Sequence, residues 1–384
     1  MSAVQILSEV ADLVMGQSPP STSYNETGEG LPFYQGKSEF GATYPTPRKY
    51  CTDPKKLAKA GDILMSVRAP VGTTNLCKEK SCIGRGIAAI RAKGIDRDFL
   101  YFYLRKIEPY IDSLGSGAIF KAINKSQLSE LPINEAGIEL PEQKKIAYIL
   151  STVQRAIEAQ ERIIQTTTEL KKALMQKLFT EGLRNEPQKQ TEIGLVPESW
   201  EVVEIGDVFK FTSGKTKPKG TISTPTDEQN IPVYGGNGVL GYSSQYLLEE
   251  STLILGRVGE YCGCSHLTTP IAWVTDNALY AKEEKLPVNL TYIRNHFEYL
   301  NLNKYSNKMG QPLITQGIIN RVKFAFPTRD DQEDLAKVFE TLDKRIKQIS
   351  IKKTAFQDLF RTLLHELMTA KIRVHELELA DLKD

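Results

Sequence analysis

LPEQKKIAYILSTVQRAIEAQERIIQTTTELKKALMQKLFTEGL, residues 140–183, places apolar side chains at alternating steps of four and three. Ile146, Leu150, Val153, Ile157, Ile164, Leu174 and Leu178 share one stripe, which predicts a long amphipathic helix with a coiled-coil seam. Pro141 suits a first turn, Glu142 is favourable beside the positive helix end, and Gly182 marks the stop. A second copy closes the chain: Leu335, Phe339, Leu342, Ile346, Ile349, Phe356, Phe360, Leu363 and Leu367 fall in the same register, with Gln332 in the place of Gln143. Gln160, Thr167 and Lys171 interrupt the first stripe and leave those side chains two destinations, the second helix or a partner protein.

Ahead of each helix lies a segment of short apolar runs broken by Gly, Pro and Ser, the signature of strands and turns. Asp62-Ile-Leu-Met-Ser-Val67 and Gly86-Ile-Ala-Ala-Ile-Arg91 read as strands, and Phe99 to Ile111 as a helix capped by Asp96 or Asp98. The second segment repeats the first in order. Ile205-Gly-Asp-Val208 follows Leu7-Ser-Glu-Val10, Ile231-Pro-Val-Tyr-Gly-Gly236 follows Leu31-Pro-Phe-Tyr-Gln-Gly36, and Thr252 to Arg257 follows Asp62 to Arg68. Leu290 to Leu300 supplies the matching helix. The expected class is α+β: two similar globules, 1–138 and 194–328, long helices over 139–184 and 329–373, a polar linker at 185–193 and a tail at 374–384. Roughly forty helical residues at about 1.5 Å each give a rod of about 60 Å. The short linker then predicts that the second helix returns antiparallel and pairs with the first, a pseudo-two-fold arrangement.

The 384 residues, 40% hydrophobic and 25% charged, are ordinary for a folded protein of two or three domains. A formal net charge of +2 means that folding must assemble any basic face. Five cysteines without regular spacing, no apolar leader and no run of about eighteen apolar residues predict a cytoplasmic chain without a membrane role.

Globule, Leu140-Pro-Glu-Gln143, long helix, Gly194-Leu-Val-Pro-Glu-Ser-Trp200, globule, Asp331-Gln332 and a second long helix together resemble the specificity subunit of a type I restriction-modification system over essentially the whole chain. The second unit departs from the pattern, with Arg329-Asp-Asp-Gln332 where Pro-Glu-Gln is expected. The resemblance implies two target recognition domains, each reading one half of a bipartite, asymmetric double-stranded DNA target, with helices that set the spacer. It also implies two methyltransferase subunits and ATP-dependent restriction subunits as partners. S-adenosylmethionine, ATP and Mg then belong to those partners, and this chain holds no cofactor, no metal and no catalytic residue. A pseudo-symmetric pair of globules on a rod of about 60 Å spans at most roughly eighteen base pairs of about 3.4 Å. The alternatives are a coiled-coil scaffold that never touches DNA, since heptads report pairing and not purpose, and a nucleotide-binding enzyme that uses Gly214-Lys-Thr216.

Candidate DNA contacts are polar and cationic residues beside glycines at strand ends. In the first globule they are Gln17, Ser18, Lys37, Arg68, Arg85, Ser116 and Lys121; in the second they are Lys215, Lys217, Asn237, Arg257, Asn307, Lys308 and Gln311. Lys and Arg neutralise phosphates or read guanine, and Gln and Asn pair with adenine. A solvated turn is the default reading of any single loop, and Arg68 and Arg257 read equally as structural ion pairs.

Three motifs imitate enzymes. Gly214-Lys-Thr216 resembles the end of a phosphate loop, but Phe209 stands where the earlier glycine belongs. Gly236-Asn-Gly-Val-Leu-Gly241 matches a dinucleotide fingerprint without the helix that should follow. Cys262, Cys264 and His266 are expected on one strand face but lack a fourth zinc ligand, and His365-Glu366 lacks a second histidine.

Overall fold

The computed structural model describes residues 5–115, 121–134, 136–307 and 310–378. It divides into two compact units, Met1–Arg162 with Ser350–Asp384, and Ile163–Ile349. Each unit therefore joins one globule to the first part of one long helix and the last part of the other, or the reverse. The central helix runs Leu140–Glu181 and the closing helix Arg329–Met368.

In the first unit a short helix, Leu7–Val10, leads into an antiparallel sheet ordered Ala11–Met15, Ile87–Ala92, Ile63–Ser66, Thr74–Leu76. A second sheet is built around Leu31–Tyr34 and Ser81–Ile83, which run parallel. Leu7, Ile63, Ile90, Phe99 and Ile133 form a core with Ile146, Leu150 and Ile157 of the central helix and with Phe360 and Leu367 of the closing helix. Phe102 meets Phe360 edge-on at 5.8 Å. Full burial of such side chains contributes about 1.5–3 kcal/mol each, so the globule and the helix stripes stabilise one another.

The second unit repeats this plan. Ile205–Val208 leads into a sheet ordered Phe209–Ser213, Ala278–Glu284, Leu253–Gly256, Ser265–Leu267. Ile231–Gly235 and Trp273–Val274 run parallel in the neighbouring sheet. Its core takes Leu178 and Phe179 from the central helix and Leu335 and Phe339 from the closing one. Phe179 stacks on buried His296 at 4.5 Å, and burial holds that imidazole neutral, its pKa pushed down to about 3. Tyr292 donates its hydroxyl proton to Ala325 O at 3.1 Å, so its oxygen accepts from His296 Nδ1 at 2.7 Å.

Paired residues give the direction of the helices. In the first unit Glu142 meets Arg373 and Glu161 meets Lys353; in the second Lys171 meets Asp343 and Arg184 meets Asp331. One number rises as the other falls, so the helix segments run antiparallel in each unit. Of the seam, Ile146, Leu150, Ile157, Leu178, Leu335, Phe339, Ile349, Phe360 and Leu367 are buried, while Val153, Ile164, Leu174, Leu342, Ile346, Phe356 and Leu363 are half-buried. Lys171 resolves its two destinations: it is buried and its ammonium lies 2.8 Å from Asp343 of the closing helix and 3.2 Å from Glu298.

The same clasp fastens each long helix to its globule. Gln143 accepts from the backbone N–H of Asp96 at 3.0 Å and donates to Ile138 O at 2.7 Å. Gln332 accepts from Asn289 N–H at 2.9 Å and donates to Pro327 O at 3.1 Å. Asp96 and Asn289 are the N-caps of the helices Arg97–Lys106 and Leu290–Leu300. The preceding residue is a buried acid in both units: Glu142 takes Arg373 and the Val374 N–H, and Asp331 takes Arg184. Asp331 thus does the work of Glu142 despite the altered Arg329-Asp-Asp-Gln332 sequence.

Four expectations need correction. The helix expected over Phe99 to Ile111 is two, Arg97–Lys106 and Glu108–Leu114; Ile107 leaves the helical region and Pro109 enters the first turn of the second. The polar linker is half of a hairpin, since Gln188–Thr191 pairs with Gly194–Pro197. The closing helix ends at Met368, five residues early, and the chain turns back so that Arg373 reaches Glu142. Cys262 and Cys264 precede the strand Ser265–Leu267 that carries His266, although all three line one cleft.

Burial opposes the charge on Glu142, but the Arg373 guanidinium and the Val374 amide hold its carboxyl below the usual carboxylate range. A depressed folded pKa stabilises above the unfolded value, about 4.3, and that contribution is lost as pH falls through the folded one. Glu142→Gln is expected to cost about 1.5–3 kcal/mol at pH 7, a gap to the parent chain that shrinks on acidification below about pH 4. Urea unfolding across pH checks this; a gap as large at pH 3 as at pH 7 contradicts it.

Candidate nucleic-acid interface

In the first unit the strands Ala11–Met15 and Ile63–Ser66 end, and Ile87–Ala92 begins, at one edge of the sheet, where Leu31–Tyr34 and Ser81–Ile83 also end. Backbone bonds weld the loops there. Gly16 N–H donates to Ile87 O, Gln17 N–H to Ile83 O, Gly84 N–H to Tyr34 O, Val67 N–H to Gly86 O and Ile123 N–H to Val67 O, all at 2.8–3.0 Å.

The second unit repeats these five bonds. Gly214 donates to Ala278 O, Lys215 to Val274 O, Thr275 to Tyr234 O, Arg257 to Asn277 O and Ile314 to Arg257 O, at 2.8–3.1 Å. The bonds align the two frames residue by residue: Gln17 with Lys215, Arg85 with Asp276, Gly86 with Asn277. Val67, not Arg68, is level with Arg257, a shift of one from the sequence reading.

Close approach fixes the frame as well. A Cβ on Gly16 would lie 2.1 Å from Gly84 O, and one on Gly214 would lie 2.3 Å from Thr275 O, the equivalent carbonyl. Neither loop can move away without breaking the bonds just described.

Most candidate residues gather on this edge. Lys37, Arg68 and Arg85 line a cleft of about 210 Å³ with Gln35, Ser66 and Gly86, and the Ser18 hydroxyl accepts from the Arg85 amide at 3.5 Å. All three cations are exposed and none forms an ion pair with a described residue. Glu39 is occupied: its carboxylate accepts the amides of Gln35 and Gly36. Such unneutralised charge attracts an anion. Exposed Gln17 belongs to the same frame. Lys121 adjoins it, with its carbonyl accepting from Ala69 N–H, but its ammonium is committed to Asp112 at 3.0 Å and holds that carboxyl below its ordinary range.

In the second unit Lys215 and Asn237 are exposed at the frame, and Arg257 is half-buried with one nitrogen 3.2 Å from the Ser213 hydroxyl, not in an ion pair. Asn307 bridges to Leu313, which also bridges to Val258, so Asn307 and exposed Gln311 stand beside the Arg257 strand end. Lys217 is exposed farther along the loop from Lys215. Ser116 and Lys308 lie outside the described residues. The sequence reading missed Asp276 and Asn277, whose signal was register: they occupy the places of Arg85 and Gly86.

The enzyme-like motifs take other forms. The Lys215 amide, which a phosphate loop needs free, is spent on Val274 O. Gly236 and Asn237 form a hairpin tip between Ile231–Gly235 and Gly238–Ser243, and the rest of that motif lies in the second strand. Among the described residues no group of three or more His, Cys, Asp or Glu side chains is placed to hold a metal ion, and no helix is long and apolar enough to cross a membrane. His365 is exposed on the closing helix.

Duplicated α+β globules on shared long helices, each with a cationic, glycine-framed edge, define a two-site recognition protein. The model of the type I restriction modification DNA specificity domain matches residues 3–168 and 197–355, and the chain belongs to that family. It is 45% identical over 174 residues to the putative type I restriction enzyme MjaX specificity subunit of Methanocaldococcus jannaschii, a match that spans 45% of this chain and 40% of that relative. With the MjaVIII specificity subunit of the same organism it shares 22% identity over 364 residues, 83% of this chain and 78% of the other. The fold is that of the S subunit of a type I restriction-modification system from M. genitalium, with a TM-score of 0.68 at 18% identity over 95% of both chains.

Gly16→Ala and Gly214→Ala are each expected to destabilise by about 1–3 kcal/mol through overpacking. Gly36→Ala, where a Cβ meets nothing within 4 Å, is expected to be close to neutral. Unfolding midpoints check the contrast; equal effects at all three sites contradict the frame.

Proposed function

We propose that this chain selects the DNA sequence on which a type I restriction-modification complex acts, and that it carries out no reaction itself. One observation carries the reading: an identical backbone frame in each unit presents different side chains, Gln17 and Arg85 in one, Lys215 and Asp276 in the other. A frame that is kept while its contact residues change suits two different half-sites. Phosphate contacts from Lys37, Arg68 and Lys217 position the complex, and base contacts from the frame residues specify the sequence. The long helices set the unread gap between half-sites and give methyltransferase subunits a docking surface. Methylation with S-adenosylmethionine, and cleavage with ATP and Mg, belong to two methyltransferase subunits and to restriction subunits that join them in the cytoplasm.

Binding of fluorescent duplexes across a salt series, with the methyltransferase subunits present, tests the reading. Affinity is expected to fall steeply with salt, and Lys37→Ala with Arg68→Ala to weaken all sequences alike while lowering the slope by about 1 per lost phosphate contact. A flat salt response would sink it.

A further inference from the structure

The aligned frames put opposite charges at one position. Arg85 stands between Gly84 and Gly86 in the first unit; Asp276 stands between Thr275 and Asn277 in the second. Both are central in the frame. The residue before each donates to the Tyr34 or Tyr234 carbonyl, and the residue after each accepts from Val67 or Arg257. Each tip is also held by its own amide, Arg85 N–H on the Ser18 hydroxyl and Asp276 N–H on Lys215 O at 3.0 Å. A Cβ on Gly86 would stand 2.2 Å from Gln35 O, so the Arg85 turn packs directly on its neighbour.

We propose that Arg85 and Asp276 are equivalent base-reading residues, Arg85 for a guanine in one half-site and Asp276 for a cytosine in the other. The inference rests on the DNA-recognition reading and adds to it the residues and the bases. A guanidinium fork matches guanine O6 and N7 in the major groove, and a carboxylate accepts from the cytosine amino group. Rigid placement matters for base reading, whereas phosphate contacts tolerate flexible side chains at the periphery such as Lys37 and Lys217.

Asp276 is the sharper case. It is exposed, and it forms no ion pair or side-chain hydrogen bond with any described residue although Lys215 and Arg257 flank it in the frame. On a surface that meets phosphates an unpaired carboxylate costs repulsion at every sequence. A cytosine amino donor turns that cost into selectivity for one base.

Selection from a randomised duplex library by the full chain bound to its methyltransferase subunits tests this. The parent complex is expected to enrich a two-part motif. Arg85→Ala should erase a guanine preference at one base pair of one half-site, with cognate affinity reduced about 5- to 150-fold and affinity for random duplex nearly unchanged. Asp276→Asn should move one position of the other half-site from cytosine to adenine. Both variants leaving the motif intact, or weakening every sequence equally, overturns the assignment alone. A parent complex that enriches no motif overturns the DNA-recognition reading with it.

Discussion

A buried side-chain amide fastens each long helix to its globule. Gln143 and Gln332 each tie the N-cap residue of a globule helix to the chain segment that leads into the long helix. An adjacent buried carboxylate, Glu142 or Asp331, holds an arginine just beyond the end of the opposite long helix. Removing such an amide strands the half-buried N–H of Asp96 or Asn289, which is costlier than the bond's net worth, while Ile138 O keeps the Asn134 amide at 2.8 Å. The clasp therefore fixes where the helix starts, which stripe it turns toward the globule, and where its antiparallel neighbour ends.

Each globule's core is completed by residues of both helices, Ile146, Leu150, Phe360 and Leu367 in one and Leu178, Phe179, Leu335 and Phe339 in the other. Neither helix buries its stripe without the other. The sheet edges lie at the ends of strands held in this core, and their loops are welded by backbone bonds and glycine contacts. Side chains at the tips are thereby free to differ while the frame stays, the physical condition for reading two sequences with one architecture.

Period and duplication make the helices, the matching strands Leu31–Tyr34 and Ile231–Gly235, and the pairing of Gln143 with Gln332 legible in the amino-acid sequence. The features that are not legible there carry no periodic signal. Gln188–Thr191 has no apolar face to announce a strand, and its partner Gly194–Pro197 decides its conformation. Helical periodicity runs through Ile107, so the break there rests on Pro109 alone. Arg373 is a charge in a polar tail until folding brings it to Glu142. Among the site residues, cations beside glycines are visible, but Asp276 is not, because an acid is the wrong sign for a phosphate-binding loop. Its place emerges only from backbone register, which also moves Arg257 from the level of Arg68 to that of Val67.

Two readers on one chain with helices that set the distance between them, the function proposed above, would make a demand that neither a scaffold nor a single-site binder makes. Deleting one heptad from the central helix and the facing heptad from the closing helix removes about 10 Å, or about three base pairs. Methylome sequencing of a host that carries this variant with its methyltransferase subunits should show both half-sites unchanged and the unread gap shortened by about three base pairs. Altered half-sites across an unchanged gap would contradict the account.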